Sequence, residues 1–518
     1  MARQQFKNKI YTDWSKKENR SRMEKAIAKI ESEFNREYPI IIGNEQVILD
    51  AKLTSYNPSN PSQVVGVFQK GDREEALKAL NVALNAFETW RWVDYRKRAA
   101  YLFKAAKVMQ RRRFEINATM TLEVGKTWPE AEADTSEAID FLEFYGRETL
   151  RYGAKQPVVQ LKGERDELIY VPLGVGLIVP PWNFPLAILT GMTMAAVVTG
   201  NTVILKPSSD SPLTGWRLME ILDEIKLPEG VVNFVTGPGA TVGDTLVAHP
   251  KIRFISFTGS KEVGIRINEL AARVQPGQIW LKRVVAEMGG KDSMIIDDQA
   301  DLDEAVAATI VSAFGFQGQK CSACSRAIVV EKIYDEFIEQ LKKQIETIKV
   351  GDAKDFSNYM GPVINKSAKE NILKYIRIGL AEGGRLITGG GEVPGDGYFI
   401  EPTVIADVDP KATIAQEEIF GPVLAVIKAK NFDEALAIAN NTEFGLTGGI
   451  FTRNRKKIEK AKDIVHVGNF YINRKITGAM VGAHPFGGFN MSGTDSKAGG
   501  RDYLLLYLQG KSIAEKVK

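Results

Sequence analysis

Val175-Gly176-Leu177-Ile178-Val179, Thr202-Val203-Ile204-Leu205, Val231-Val232-Asn233-Phe234-Val235 and Arg253-Phe254-Ile255-Ser256-Phe257 are short β-branched runs, and helical segments lie between several of them. Leu168-Ile169-Tyr170-Val171 precedes them in the same style. Runs that are apolar throughout, rather than alternating, suit strands buried on both faces. Strands of this kind alternating with helices predict a parallel sheet covered on either side, a doubly wound α/β unit. The alternation resumes after Glu287 with Ser293-Met294-Ile295-Ile296, Ala327-Ile328-Val329-Val330, Val423-Leu424-Ala425-Val426 and Gly468-Asn469-Phe470-Tyr471-Ile472. A second α/β unit is therefore predicted downstream.

On the N-terminal side, residues 15 to 38 are rich in Lys, Glu and Arg, with Met23, Ile27 and Ile30 spaced for one helical face. This predicts a helical extension, followed by packing helices over residues 76 to 113 and 119 to 145. The stretch 156 to 166 and the tail 502 to 518 alternate polar and apolar residues, the pattern of exposed strands in need of partners, and we read both as oligomer contacts.

A chain of 518 residues with 44% hydrophobic and 25% charged residues predicts a soluble globular protein of two or three domains. The net charge of +4, from 68 basic and 64 acidic residues, is dispersed along the chain and argues against a nucleic-acid partner. No apolar tract is long enough to span a bilayer, and the polar start Met1-Ala2-Arg3-Gln4-Gln5 does not read as a signal peptide, so a cytoplasmic protein without membrane association is expected. With two cysteines, Cys321 and Cys324, and three histidines, a structural metal site is not expected. The Cys-x-x-Cys spacing formally allows a redox pair, although that motif normally opens a small βαβ domain.

The chemistry-bearing stretches lie at predicted strand ends. Phe257-Thr258-Gly259-Ser260 leads into a helical run, Gly237-Pro238-Gly239-Ala240-Thr241-Val242-Gly243 forms a second glycine loop, and Lys206-Pro207-Ser208-Ser209 closes a third strand. Ligands of open parallel sheets gather at the carboxyl ends of strands, and helix N-termini favour phosphate, so a dinucleotide is more plausible there than three unrelated turns. The loops match neither Gly-x-Gly-x-x-Gly nor a Walker sequence. Lys206 would reach ribose hydroxyls, its alternative being a solvated surface lysine.

Pro180-Pro181-Trp182-Asn183-Phe184-Pro185 holds an amide in a rigid turn, where Asn183 and the backbone N–H of Cys321 would together stabilise an oxyanion, a contribution of about 3 kcal/mol. Cys321, in Gln317-Gly318-Gln319-Lys320-Cys321-Ser322, is the candidate nucleophile, with Lys320 favouring its thiolate. Its alternative is a small buried hydrophobe, the reading assigned to Cys324. Glu287, in Glu287-Met288-Gly289-Gly290-Lys291, is read as a general base in a glycine-bearing turn whose partial burial raises its pKa.

Taken in order, Pro181-Trp182-Asn183-Phe184-Pro185, Lys206-Pro207-Ser208, Phe257-Thr258-Gly259-Ser260, Glu287-Met288-Gly289-Gly290-Lys291, Gly318-Gln319-Lys320-Cys321, Glu417-Glu418-Ile419-Phe420-Gly421-Pro422-Val423 and Pro485-Phe486-Gly487-Gly488 resemble the aldehyde dehydrogenase superfamily. The resemblance spans roughly residues 40 to 515. It implies two doubly wound parallel-sheet domains and a small β oligomerisation element. The expected boundaries are an N-terminal helical extension at 1–40, a Rossmann-like NAD(P)-binding domain at 41–153 and 173–286, a catalytic domain at 287–497, and an oligomerisation element at 154–172 and 498–518.

By the same resemblance Cys321 attacks the aldehyde, Glu287 activates the hydrolytic water and Asn183 donates to the oxyanion. Hydride passes from a thiohemiacetal to NAD(P)⁺ and the thioester is then hydrolysed. The cofactor would lie along Val179, Pro181 and Trp182, then Lys206, Ser208 and Ser209, then Gly239 and Gly243, then Phe257, Gly259 and Ser260, with Glu418 and Phe420 at the nicotinamide end. Many NAD-preferring members carry Glu where Ser209 stands, so NAD is expected with NADP also accepted. A homo-oligomer built on dimers is implied.

Within the superfamily, the N-terminal extension, Gln319-Lys320-Cys321-Ser322 and Lys475-Ile476-Thr477-Gly478-Ala479-Met480-Val481-Gly482 look most like the branch that oxidises L-glutamate γ-semialdehyde in proline catabolism. Ser322 with the amides of Gly478 and Ala479 would anchor the α-carboxylate of that small-molecule substrate. Phe184 and Phe486 would flank its aliphatic middle, their alternative being ordinary core packing. A different semialdehyde, such as that of succinate, is the rival substrate. A cofactor-free thiol hydrolase using Cys321 and Glu287, or a catalytically silent scaffold, are the rival classes.

Overall fold

The computed structural model describes residues 5–517. Its first sheet has seven strands, in the order Arg283–Glu287, Phe254–Thr258, Val175–Val179, Thr202–Leu205, Val232–Phe234, Ile40–Ile42, Glu45–Val47. The five consecutive strands from Arg283–Glu287 to Val232–Phe234 pair in parallel. The last two form an antiparallel hairpin at the edge, turning at Gly43 with φ +62°. The pleat shows why these runs are apolar throughout. Val175 and Leu177 face a core containing Ala76, Ala79, Leu80 and Ala83 of helix Arg73–Trp90, whereas Ile178 faces a core containing Leu142, Met194 and Val198 from the helices on the other side. Both faces are dry, so no polar alternation survives. Gly176 is required at the sheet centre, because a Cβ there would collide with the Phe254 ring.

The second sheet also has seven strands, in the order Arg385–Thr388, Thr403–Ala406, Val423–Ala429, Cys324–Val330, Asp292–Ile296, Thr447–Phe451, Asn469–Ile472. Only Arg385–Thr388 runs antiparallel to its neighbour. Here too successive residues serve opposite cores, with Met294 and Ile296 on one face and Ile295 on the other.

Three expectations need correction. Leu168-Ile169-Tyr170-Val171 is no member of the parallel sheet: strand Glu164–Pro172 pairs antiparallel with Leu508–Lys516 in a two-stranded ribbon. Of the stretch 156–166 only Glu164–Asp166 is strand, and it pairs with Ala514–Lys516 of the tail, since closing one ribbon satisfies both rows of backbone groups. The N-terminal extension is helical only over Lys17–Glu31, which packs Met23, Ile27 and Ile30 on Phe114, Ala118 and Leu122; Glu37–Tyr38 is already a strand. That strand joins Lys52–Asn57 and Asn60–Gln69 in a three-stranded sheet that the sequence reading did not anticipate.

Candidate active site

The five parallel strands of the first sheet end close together, with Phe257 beside Val179, Leu205 beside Ile178 and Phe234, and Thr258 beside Glu287. Beyond these ends runs a groove of about 810 Å³. All the residues predicted to hold a dinucleotide lie along it: Val179, Pro181 and Trp182; Lys206, Ser208 and Ser209; Gly239 and Gly243; Phe257, Gly259 and Ser260; Glu418 and Phe420. Lys206 is not a solvated lysine. It is 5% exposed, its Nζ donates to the Pro207 carbonyl at 3.1 Å, and burial pushes its pKa down to about 8. Ser260 caps helix Lys261–Ala272 by accepting from the Val263 N–H at 3.4 Å, so that helix's N-terminus opens on the groove.

At the other end, Glu418 Oε1 accepts from the Gly290 N–H at 3.0 Å, and a Cβ on Gly289 would run into the Glu418 carboxylate. Phe420 is held at φ +58° with its ring edge-on to Trp182, centroids 5.6 Å apart. The elongated form, a buried cation without a protein carboxylate against it and glycines where a Cβ would fill the space fit a dinucleotide.

Cys321 follows a strained turn. Helix Leu302–Phe314 ends, and Phe316, Gln317 and Gly318 all take left-handed backbone, at φ +50°, +56° and +67°. Such conformations in non-glycine residues cost on the order of 1–3 kcal/mol each and persist where surrounding contacts over-determine them. Gln317 Nε2 donates to the carbonyls of Gly125 at 3.1 Å and Pro362 at 2.7 Å, and the Ile364 N–H donates to Gln319 Oε1 at 2.9 Å. Gly318 cannot be replaced cheaply, since a Cβ would strike the Gly421 carbonyl.

The partly exposed Cys321 sits where this groove meets a second, smaller cavity of about 110 Å³. Burial, and then the nearby charges of Glu287, Asp292 and Glu418, push its thiol well above the usual range. The expected help from Lys320 is not available: its Nζ is paired with Glu130 at 2.8 Å. Cys324 is buried in its strand with Sγ directed at the Arg326 carbonyl, and both cysteines are free.

Asn183 is buried, and Nδ2 donates to the Gln319 carbonyl at 3.0 Å, two residues before the nucleophile candidate. One of its two N–H donors is thereby spent on orienting the amide beside Cys321. Glu287 is the last residue of strand Arg283–Glu287 and not part of a turn. Its Oε2 accepts from Ser496 Oγ at 2.9 Å, Oε1 has no hydrogen-bond partner among the described residues, and burial pushes its pKa up to about 8 against the opposing Ser496 hydrogen bond.

The smaller cavity brings together Cys321, Glu287, Phe184, Ser322 and Phe486 with Gly478 and Ala479. It also contains polar residues that the sequence reading missed, chiefly Glu137 and Ser496. Glu130, Asp134 and Glu137 recur at helical spacing on Trp128–Tyr152, among apolar neighbours, and that spacing was the available signal. Glu130 is paired with Lys320 and Asp134 with Lys126, but Glu137 has no ion-pair partner among the described residues. Its pKa is raised to about 8 by burial and by the Asp134 charge. Among the described residues no group of three or more His, Cys, Asp or Glu side chains could hold a metal ion, and no helix is long and apolar enough to cross a membrane.

A nucleophile candidate at the junction of a dinucleotide-shaped groove and a small cavity is the layout of an aldehyde-oxidising enzyme, and the sequence model of the aldehyde dehydrogenase family matches residues 48–513. The chain belongs to the aldehyde dehydrogenase family. Its relatives narrow this further. The 1-pyrroline-5-carboxylate dehydrogenase of Geobacillus sp. (strain WCH70) is 54% identical over 512 residues, covering 99% of both chains. That of Geobacillus thermodenitrificans (strain NG80-2) is 53% identical over the same length and coverage. Among solved structures, the 1-pyrroline-5-carboxylate dehydrogenase from Thermus with bound NAD superposes with a TM-score of 0.97 at 49% identity, covering all of both chains. The Staphylococcus aureus betaine aldehyde dehydrogenase in complex with NAD⁺ superposes at 0.89 with 29% identity, over 96% of this chain and 98% of that one.

Proposed function

We propose that this protein oxidises L-glutamate γ-semialdehyde, the open form of 1-pyrroline-5-carboxylate, to L-glutamate with NAD⁺, with NADP⁺ as a second acceptor, in proline catabolism. The observation that carries the reading is the position of Cys321, shared by the groove and by the cavity that contains Glu287. The whole-length likeness to 1-pyrroline-5-carboxylate dehydrogenases supports the choice of substrate.

In this reading the Cys321 sulfur, once ionised to the thiolate, forms a bond to the aldehyde carbon as the carbonyl electron pair moves onto oxygen, and the resulting oxyanion accepts from the free N–H of Asn183 and the Cys321 backbone N–H. Donors fixed in place before the charge develops are worth about 3 kcal/mol each. The groove's residues hold a dinucleotide, which when bound supplies the hydride acceptor. Lys206 serves the adenosine ribose, and Glu418 and Phe420 the nicotinamide end. Glu287, as carboxylate, takes a proton from water as the water oxygen attacks the thioester carbon and the sulfur leaves.

Substrate choice rests on the far end of the cavity. Ser322 and the amides of Gly478 and Ala479 suit the α-carboxylate, and Glu137 suits the α-ammonium. Succinate semialdehyde would satisfy the anchor but leave Glu137 without its cation. The ribbon of Glu164–Pro172 and Leu508–Lys516, with Ile169 exposed, supports assembly into a homo-oligomer built on dimers. Steady-state rates with each semialdehyde, followed by NADH absorbance, test the reading: glutamate semialdehyde should give the highest kcat/KM. A clear preference for an aldehyde without an α-amino carboxylate would reject it.

A further inference from the structure

Lys126 follows helix Arg113–Val124 and the left-handed Gly125, and it is fully buried. Its Nζ makes a 2.7 Å ion pair with Asp134 Oδ2, equally buried. The same ammonium stands 4.1 Å from the centroid of the Phe184 ring and 4.7 Å from that of Phe316. These rings belong to two different loops of the site. Phe184 adjoins Asn183, and Phe316 begins the left-handed turn that leads to Cys321.

Further contacts of the pair follow the same division. Asp134 Oδ1 accepts from the Ala187 N–H at 2.6 Å, at the start of the helix that follows the Asn183 loop. The carbonyl of Gly125, next to Lys126, accepts from Gln317 Nε2 in the Cys321 turn at 3.1 Å. The Lys126 and Asp134 pair is thus a staple between the loop of the amide and the loop of the sulfur. An ion pair taken wholly out of water is a poor source of stability, and apolar residues of equal volume usually do as well. What it adds is direction, since a cation is drawn to the faces of aromatic rings and fixes their planes.

We propose that Lys126 is a positioning residue which sets the register between the Asn183 amide and the Cys321 sulfur, acting through Phe184 on one and Phe316 on the other. Lys126 lines neither the groove nor the cavity, so its effect falls on geometry and not on binding. The proposal deepens the functional reading above and rests on it.

The test is the double variant Lys126→Met with Asp134→Asn, which removes both charges and strands neither. The measurements are kcat and KM for glutamate semialdehyde, NAD⁺ affinity, and the rate of Cys321 alkylation by iodoacetamide. The expected result is a kcat lower by roughly 10–100-fold, with KM, NAD⁺ affinity and alkylation within about threefold, because misplacement of the reacting groups costs rate more than binding. Lys126→Arg, which keeps a cation over the rings, should retain part of the lost kcat. A double variant with wild-type kcat would overturn the proposal, as would parallel losses of kcat and NAD⁺ affinity. If the double variant does not fold, Phe316→Leu removes one ring and leaves the ion pair: lower kcat at unchanged NAD⁺ affinity supports the role, and wild-type kcat overturns it. Wild-type protein that oxidised no aldehyde would bring down the functional reading itself, whereas active wild type matched by the double variant brings down only the staple.

Discussion

Ser496 Oγ donates a 2.9 Å hydrogen bond to one carboxylate oxygen of the cavity-lining Glu287, while the other oxygen, Oε1, is buried without a hydrogen-bond partner among the described residues. The serine orients the group and leaves one lone-pair set open for water. Burial holds the carboxyl at about 8, so near neutrality much of it is protonated and inactive as a base. Thioester hydrolysis should therefore rise with pH through about 8 and fall below it. Ser496→Ala removes a bond that favours the carboxylate, so the rising limb should move to higher pH; single-turnover rates against pH would reveal an unmoved limb if the hydrogen bond were idle. Glu287→Gln should release one equivalent of NADH and then stall.

Burial, before any charge, holds Cys321 as a thiol, with Lys320 turned away to Glu130. Alkylation of the free protein by iodoacetamide should be slow at neutral pH and still rising above pH 9, because the thiolate is the reactive form. Cys321→Ala should abolish turnover and leave NAD⁺ affinity unchanged. Fast alkylation at neutral pH would show that burial does not hold the sulfur as a thiol.

The doubly wound sheets were legible because strands buried on both faces must be apolar throughout, as in Val175–Val179 and Thr202–Leu205. The pairing of Ile41 with Phe234, which joins the edge hairpin to the sheet, was not, since that partner is fixed by a contact far apart in sequence and not by local pattern. The same division runs through the site. Glycines at 259, 289 and 318 mark close approaches and can be read directly. Glu137 and Lys126 look like ordinary surface charges until the fold half-buries the first and fully buries the second, and Lys320 was misread because its partner Glu130 lies on a distant helix.

Ser209 stands in the groove near the buried Lys206, with no acidic side chain at its own position to repel a 2′-phosphate. Ser209→Glu should raise KM for NADP⁺ by about tenfold or more, as expected for like charges a few ångströms apart near a surface, and change KM for NAD⁺ little. Equal effects on both acceptors would place the adenosine ribose elsewhere.

Glu137 carries the sharpest claim about substrate. Its carboxyl is raised to about 8, first by burial and then by Asp134, so it is largely protonated in the free protein at neutral pH. An α-ammonium entering the cavity would draw it to the charged form, since an opposite charge favours ionisation. Binding of L-glutamate should therefore release up to one proton at pH 7, read as a dependence of the calorimetric binding enthalpy on the ionisation heat of the buffer. Glu137→Gln should abolish that release and raise KM for glutamate semialdehyde by about 10–100-fold, the loss of one charge-assisted hydrogen bond, while leaving succinate semialdehyde turnover nearly unchanged. If both semialdehydes suffered alike, Glu137 would be part of the wall and not the group that recognises the amine.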